Sequence, residues 1–242
     1  MVTWGLGGLG EVSYRTLLAR LSDDFKKKPA KTVLEAATRW VDQFWTAYDP
    51  AVQPFRALNA KAAHDPNAAP NQAMRTKDEE EQFNQRKDDL GVGFCIGGYV
   101  EPSRDPEAHV MIFDPLQTKP APTKLPMTWN FWGAPNMIQR LMLGRDGKLR
   151  DDILASGKWN GTAPDLDKLL SQYTLGAPNL PIRDAIDFTH ACIASTIKAM
   201  KFSNLAQICG GPIEIAVITT DRRFRWVHHK EWDAAIMEGV PA

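Results

Sequence analysis

Residues 181–232 read PIRDAIDFTHACIASTIKAMKFSNLAQICGGPIEIAVITTDRRFRWVHHKEW and carry the clearest pattern in the chain. Ile182, Ala185, Ile186, Thr189, Ile193, Ile197 and Met200 recur at three- and four-residue steps, the spacing of one helical face. Gly210-Gly211-Pro212 cannot continue that helix: glycine is too free there, and proline has no N–H to donate. Ile213, Ile215 and Val217 then alternate with Glu214 and Ala216, the period of a strand. Asp221-Arg222 turns the chain into a partner strand at Phe224–Val227. A long amphipathic helix, a break and a hairpin therefore close an α/β domain.

Upstream, Met137, Ile138, Leu141 and Met142 predict a short helix ended by Gly144. Residues 146–178 read as loop with one helix around Asp165–Tyr173. Val92, Phe94 and Ile96 alternate with small residues until Gly97-Gly98 interrupts them, and Val110–Phe113 is a second strand stopped by Asp114-Pro115. The aromatic content of Met127–Trp132 predicts a third strand. Near the start, Tyr14, Leu17, Leu18, Leu21 and Phe25 define a helix stopped by Lys26-Lys27-Lys28-Pro29. Thr32 with Glu35 forms a capping-box pattern. It opens a second helix with Val33, Leu34, Ala37, Val41, Phe44, Trp45 and Tyr48 on one face, ending at Asp49-Pro50. Pro54–Asp89 is rich in Ala, Asn, Pro, Lys and Glu, and reads as a polar surface insertion with a short helix near Asp78–Lys87. The expected organisation is one domain over residues 1–242 with that insertion at about 54–90.

Composition narrows the function classes. Of 242 residues, 43% are hydrophobic and 24% charged, a globular balance. Lys+Arg and Asp+Glu are both 29, so no overall basic bias favours nucleic acid, and a near-neutral chain tends to associate. Cys95, Cys192 and Cys209 are odd in number and far apart, which argues for a reducing, cytoplasmic home rather than a disulfide framework. No apolar run reaches the roughly 20 residues of a membrane helix, and the N-terminus lacks the pattern of a signal peptide.

Several short motifs invite chemistry. Gly5-Leu6-Gly7-Gly8-Leu9-Gly10 matches the dinucleotide fingerprint letter for letter. That chemistry needs a strand, a helix and a parallel second strand, so a glycine-rich helix entry is the simpler reading. Nucleotide binding through Gly5–Gly10 stays as an alternative. His228-His229 with Cys209 suggests a metal, yet adjacent strand residues face opposite ways and no Cys-x-x-Cys spacing exists. Cys95 or Cys192 with His109 or His190 would make a nucleophilic pair, but nothing in the sequence supplies activation or an orienting third group. Trp129-Asn130-Phe131-Trp132 reads either as a ligand wall or as core packing. No catalytic, cofactor or metal residue is assigned.

Four ordered segments resemble the proteasome family of N-terminal-nucleophile hydrolases, in particular bacterial proteasome-like proteins. VTWGLGGLGEVSYRTLLARL at Val2–Leu21 is similar to that family's glycine-containing lead into its first helix. GVGFCIGGYVEPSRDPEAHVMIFDP at Gly91–Pro115 resembles its central hairpin, and WGAPNMIQRLMLG at Trp132–Gly144 the turn into its third helix. The segment from Ala185, with GGPIEIAVIT at Gly210–Thr219 and then FRWV, resembles its closing helix and hairpin. The resemblance implies an α+β fold, a four-layer αββα sandwich of two antiparallel sheets flanked by helices. It also implies hydrolysis of peptide or amide bonds and a tendency to homo-oligomers, rings among them.

The family's nucleophile is an N-terminal Thr, Ser or Cys on an opening strand, with its own α-amine as base. Those opening strands have no counterpart here, and Trp4–Gly8 does not read as a buried strand that would make Thr3 the nucleophile. Gly133-Ala134-Pro135 lacks the hydroxyl the family carries there, and Asp146 falls in the region of its supporting aspartate without an assigned role. The expectation is a hydrolase-family chain inactive as it stands: a fragment, or a non-catalytic oligomerising scaffold on the same fold.

Overall fold

Thr32 opens the longest helix: its hydroxyl accepts from the Glu35 N–H at 3.0 Å, a cap worth about 1 kcal/mol. Glu35 returns its carboxylate to the N–H of Lys31 at 2.8 Å rather than to Thr32, so the capping box is shifted by one residue. The helix α2, Val33–Ala60, continues through Pro50 and Pro54, beyond the expected stop at Asp49-Pro50. Both prolines lie on the exposed side, where water can satisfy the carbonyls they leave unpaired, while Val52 and Phe55 opposite them are buried. Trp40, outside the expected face, is fully buried, whereas Leu34 is 44% exposed.

This computed structural model describes residues 1–10, 12–69, 71–86, 89–175, 180–204 and 209–228. They form a mixed α+β protein with seven helices and two antiparallel sheets among the described residues. The chain divides into two compact units, Met1–Met127 and Thr128–Ala242.

In the first unit, β1 (Val2–Gly5), β2 (Val92–Val100), β3 (Asp105–Phe113) and β4 (Thr123–Lys124) form an antiparallel sheet in that order. Val2–Gly5 is a strand that the sequence reading did not assign; it is largely exposed, and Val2, Thr3 and Trp4, all strand formers, ladder with Val92–Cys95. β2 likewise runs straight through Gly97-Gly98, which pair with Ala108 and Glu107. Helices α1 (Tyr14–Lys27) and α2 pack on one sheet face through Leu17, Leu21, Ala37, Phe44, Phe94 and Phe113. Phe44 meets Phe94 and Phe113 edge-on, each at 4.7 Å, a favoured aromatic geometry. The opposite face carries Val2 and Ile112, 56% and 60% exposed, and Trp4, whose indole lies across Gly93. Helix α3 (Lys77–Arg86) is all but the expected short helix; Phe83 on it stacks on Phe55 at 5.0 Å.

The second unit holds α4 (Asn136–Leu143), α5 (Gly147–Ala155), α6 (Ala163–Ser171), α7 (Ile182–Lys201) and the hairpin β5 (Ile215–Thr219) and β6 (Arg222–His228). The closing helix and hairpin match the sequence reading, and Gly144 ends α4 at φ 69°. Met127–Trp132 is not a strand but irregular chain. Its aromatics pack on a helix instead of pairing in a sheet: Trp129 stacks on Phe188 of α7 at 4.4 Å. The described residues of 146–178 hold two helices rather than one. Helix α5 buries none of its residues, so it has little apolar period to read, and its cap Asp146 is what starts it.

Candidate ligand-binding cleft

The face α7 buries overlaps the expected one only in part: Met200 is buried and Ile186, Ile193 and Ile197 half-buried. Cys192, Thr196 and Met200 are buried at four-residue steps, with Phe188 half-buried one turn earlier, while Ile182 is 50% exposed. Ile138 and Met142 of α4 join Cys192 in a small core, against which Trp129 and Phe131 pack. Chain 129–135, α4 and α7 then bound a half-open cleft of about 620 Å³, with Cys209 at its margin. Gly133, at φ 78°, makes the bend between the aromatic stretch and α4.

Helix geometry determines what the cleft offers a ligand. Thr189 donates its hydroxyl hydrogen to the Ala185 carbonyl at 2.7 Å, and Thr196 donates to Cys192 at 3.0 Å. Both hydroxyls are therefore left as acceptors. Asn130 donates its amide to the Thr128 carbonyl at 2.9 Å. Burial pushes the Cys192 thiol above its ordinary pKa, which disfavours the reactive thiolate. The surface is apolar and aromatic, with hydrogen-bond acceptors and no activated nucleophile.

The motifs singled out in the sequence fall elsewhere or apart. Cys95 pairs with Val110 and His109 with Ile96, so Cys95 and His109 leave the sheet on opposite faces. Burial also raises the Cys95 pKa. His190 is two residues from Cys192 on α7 and exposed, and side chains two apart on a helix do not face each other. His228 is exposed, and His229 lies outside the described residues. No group of three or more His, Cys, Asp or Glu that could hold a metal ion occurs among the described residues.

The Gly5–Gly10 loop follows a strand, but β1 is antiparallel to β2, so the parallel βαβ unit of a dinucleotide site is not formed. The loop is instead tied down: Tyr14 donates its hydroxyl to the Leu6 carbonyl, and the Leu6 N–H donates to Gly91 at 2.9 Å. Burial pushes the Tyr14 phenol up to about 12. Thr3 sits in β1 opposite Phe94.

Asp146, fully buried, accepts from the Leu149 N–H at 2.9 Å and from Arg140. Burial opposes its charge, yet the Leu149 and Arg140 hydrogen bonds hold the carboxyl below the usual range. Its visible work is to cap α5.

One buried pair escaped the sequence reading. His109 Nε2 and Glu107 Oε1 are 2.7 Å apart, and Glu107 also accepts from the Val33 N–H at 3.3 Å, at the start of α2. The His109 hydrogen bond holds Glu107 below its ordinary pKa despite burial. The strand read from the sequence began at Val110, whereas β3 begins at Asp105 and so brings Glu107 and His109 onto the face of Met111 and Phe113.

Comparison with protein families, with curated proteins and with solved structures gave no match. Among the described residues, no helix is long and apolar enough to cross a membrane.

Proposed function

We propose that the chain is a proteasome-like member of the N-terminal-nucleophile hydrolase superfamily, built as a four-layer αββα sandwich. In this reading its described residues supply scaffold rather than the hydrolytic machinery. One observation carries it. Helices α1 and α2 cover one face of the β1–β4 sheet, while the other face presents Val2, Trp4 and Ile112. A sheet apolar on both faces calls for a second layer, as the inner sheet of a sandwich does. The order of elements adds support: strand and glycine loop, two long helices and a short third, a hairpin, further helices, a closing helix and a hairpin. Neither Cys95 with His109 nor Cys192 with His190 comes together.

The test is turnover of fluorogenic peptides and small amides by the purified chain, with and without a threonine-directed covalent inhibitor. The expected result is no turnover; inhibitor-sensitive turnover would overturn the scaffold reading and restore Thr3 as a candidate.

An oligomerising scaffold on the same fold is the second reading. Leu141, Tyr173 and Leu175 are 54%, 65% and 60% exposed and lie together: Leu175 donates to the Met142 carbonyl at 2.9 Å, and Tyr173 packs on Gly144. Light scattering on the eluting protein tests it, because a strict monomer at micromolar concentration excludes this reading.

A further inference from the structure

The cleft of the second unit has a charge pattern that specifies its occupant. Among the described residues that line it, none is Asp, Glu, Lys, Arg or His. Its volume, about 620 Å³, falls in the range of about 300–1,000 Å³ typical of small-molecule sites. Trp129, Phe131, Trp132 and Phe188 supply π faces, two of them already stacked at 4.4 Å. The Thr189 and Thr196 hydroxyl hydrogens are committed to helix carbonyls, so those oxygens can only accept.

We infer that this cleft binds an uncharged, flat aromatic small molecule carrying a hydrogen-bond donor. Each part of that description follows from the lining. Flatness suits a space walled by aromatic rings, which favour offset or edge-on contact with another ring. Neutrality follows because a carboxylate or ammonium entering the cleft would lose its water and meet no counter-charge. The donor follows from the threonine oxygens, which have acceptor capacity and no free hydrogen. Cys192 and Cys209 line the same space, and sulfur, soft and polarisable, also favours an aromatic neighbour. The proposal stands apart from the family reading, since it uses no nucleophile and depends only on the second unit.

Calorimetric titration of the full chain with 2-naphthol and with 2-naphthoate tests it. The two probes share a ring system and differ in charge. Saturable one-to-one binding of 2-naphthol is expected, with 2-naphthoate weaker by about tenfold or more. Thr189→Trp, at an exposed position on the rim, should weaken 2-naphthol by at least about tenfold by occupying the space. Ala134→Leu narrows the opposite wall and should weaken it in the same direction, so the proposal remains testable if Thr189→Trp fails to fold. No saturable binding, equal binding of the two probes, or unchanged affinity in a folded filled variant overturns it. So does a concentration-dependent dimer that excludes 2-naphthol, because the cleft would then be an interface between copies.

Discussion

Ile112 and Phe113 are neighbours on β3 whose side chains leave the sheet on opposite faces, and this makes them a matched pair for testing the second layer. Phe113 is fully buried, 4.7 Å from the Phe44 ring and 5.4 Å from Tyr48. Its replacement by Ala should cost about 3–5 kcal/mol, because it opens a cavity under α2 whatever lies on the far side. Ile112 is 60% exposed on the other face. If that face meets only water, Ile112→Lys is a surface change worth no more than about 0.5 kcal/mol. If a second layer covers it, the substitution loses the burial of an isoleucine, about 1.5–3 kcal/mol, and forces a lysine against apolar side chains. The sandwich reading therefore predicts a loss of at least about 3 kcal/mol, comparable to the Phe113 control. Urea unfolding followed by tryptophan fluorescence measures both, with the slope of the transition checking that each variant still unfolds as one unit. An Ile112→Lys midpoint indistinguishable from the parent, alongside a large Phe113→Ala shift, would refute the reasoning.

Three further outcomes follow from single sites. Gly5 sits at φ 86° with the Gly91 carbonyl oxygen 2.3 Å from where a Cβ would stand, so Gly5→Ala should cost about 1–3 kcal/mol in the same assay. Asp146→Asn should cost about 1 kcal/mol at neutral pH by removing the charge that Arg140 meets, since Asn caps a helix about as well as Asp. Because the Asp146 pKa is depressed on folding, its contribution is complete above about pH 4 and fades as pH falls through the lower folded value. The gap between parent and variant must therefore shrink in acid; a gap that stays constant down to pH 2 rejects that account. Trp129→Ala should lose more stability than Trp129→Phe by about 1–2 kcal/mol, since Phe retains a ring against Phe188; equal losses would mean the stack is incidental.

The elements that sequence made legible are those whose own period was strong. The closing helix and hairpin, the β2–β3 pair and the cap at Thr32 were all readable from apolar spacing and local capping. Several misses share a physical origin: tertiary packing overrode a local signal. Pro50 and Pro54 are strong stop signs, yet they lie on the wet side of a helix whose other side buries Val52 and Phe55. Val2, Thr3 and Trp4 favour a strand, but four residues running into a glycine loop are too few to show a period, and the ladder with β2 completes them. The aromatics of 129–132 suited a strand by composition, but their partner is a helix. On α7 Met200 belonged to the face read from the sequence, but Cys192 and Thr196, buried with it, did not. The cleft could therefore be suspected from its tryptophans but not located. The Glu107–His109 pair was invisible for a related reason. Two polar residues two apart on a strand share a face, but only the packing of α2 turns that face inward.

A crystal structure of the full chain tests the central claim most directly, by showing what lies against the face of β2 and β3 that carries Cys95, Val110 and Ile112. The account predicts a second antiparallel sheet packed roughly 10 Å away, with Ile112 buried between the layers. A face left open to solvent, or covered by a helix, would contradict it.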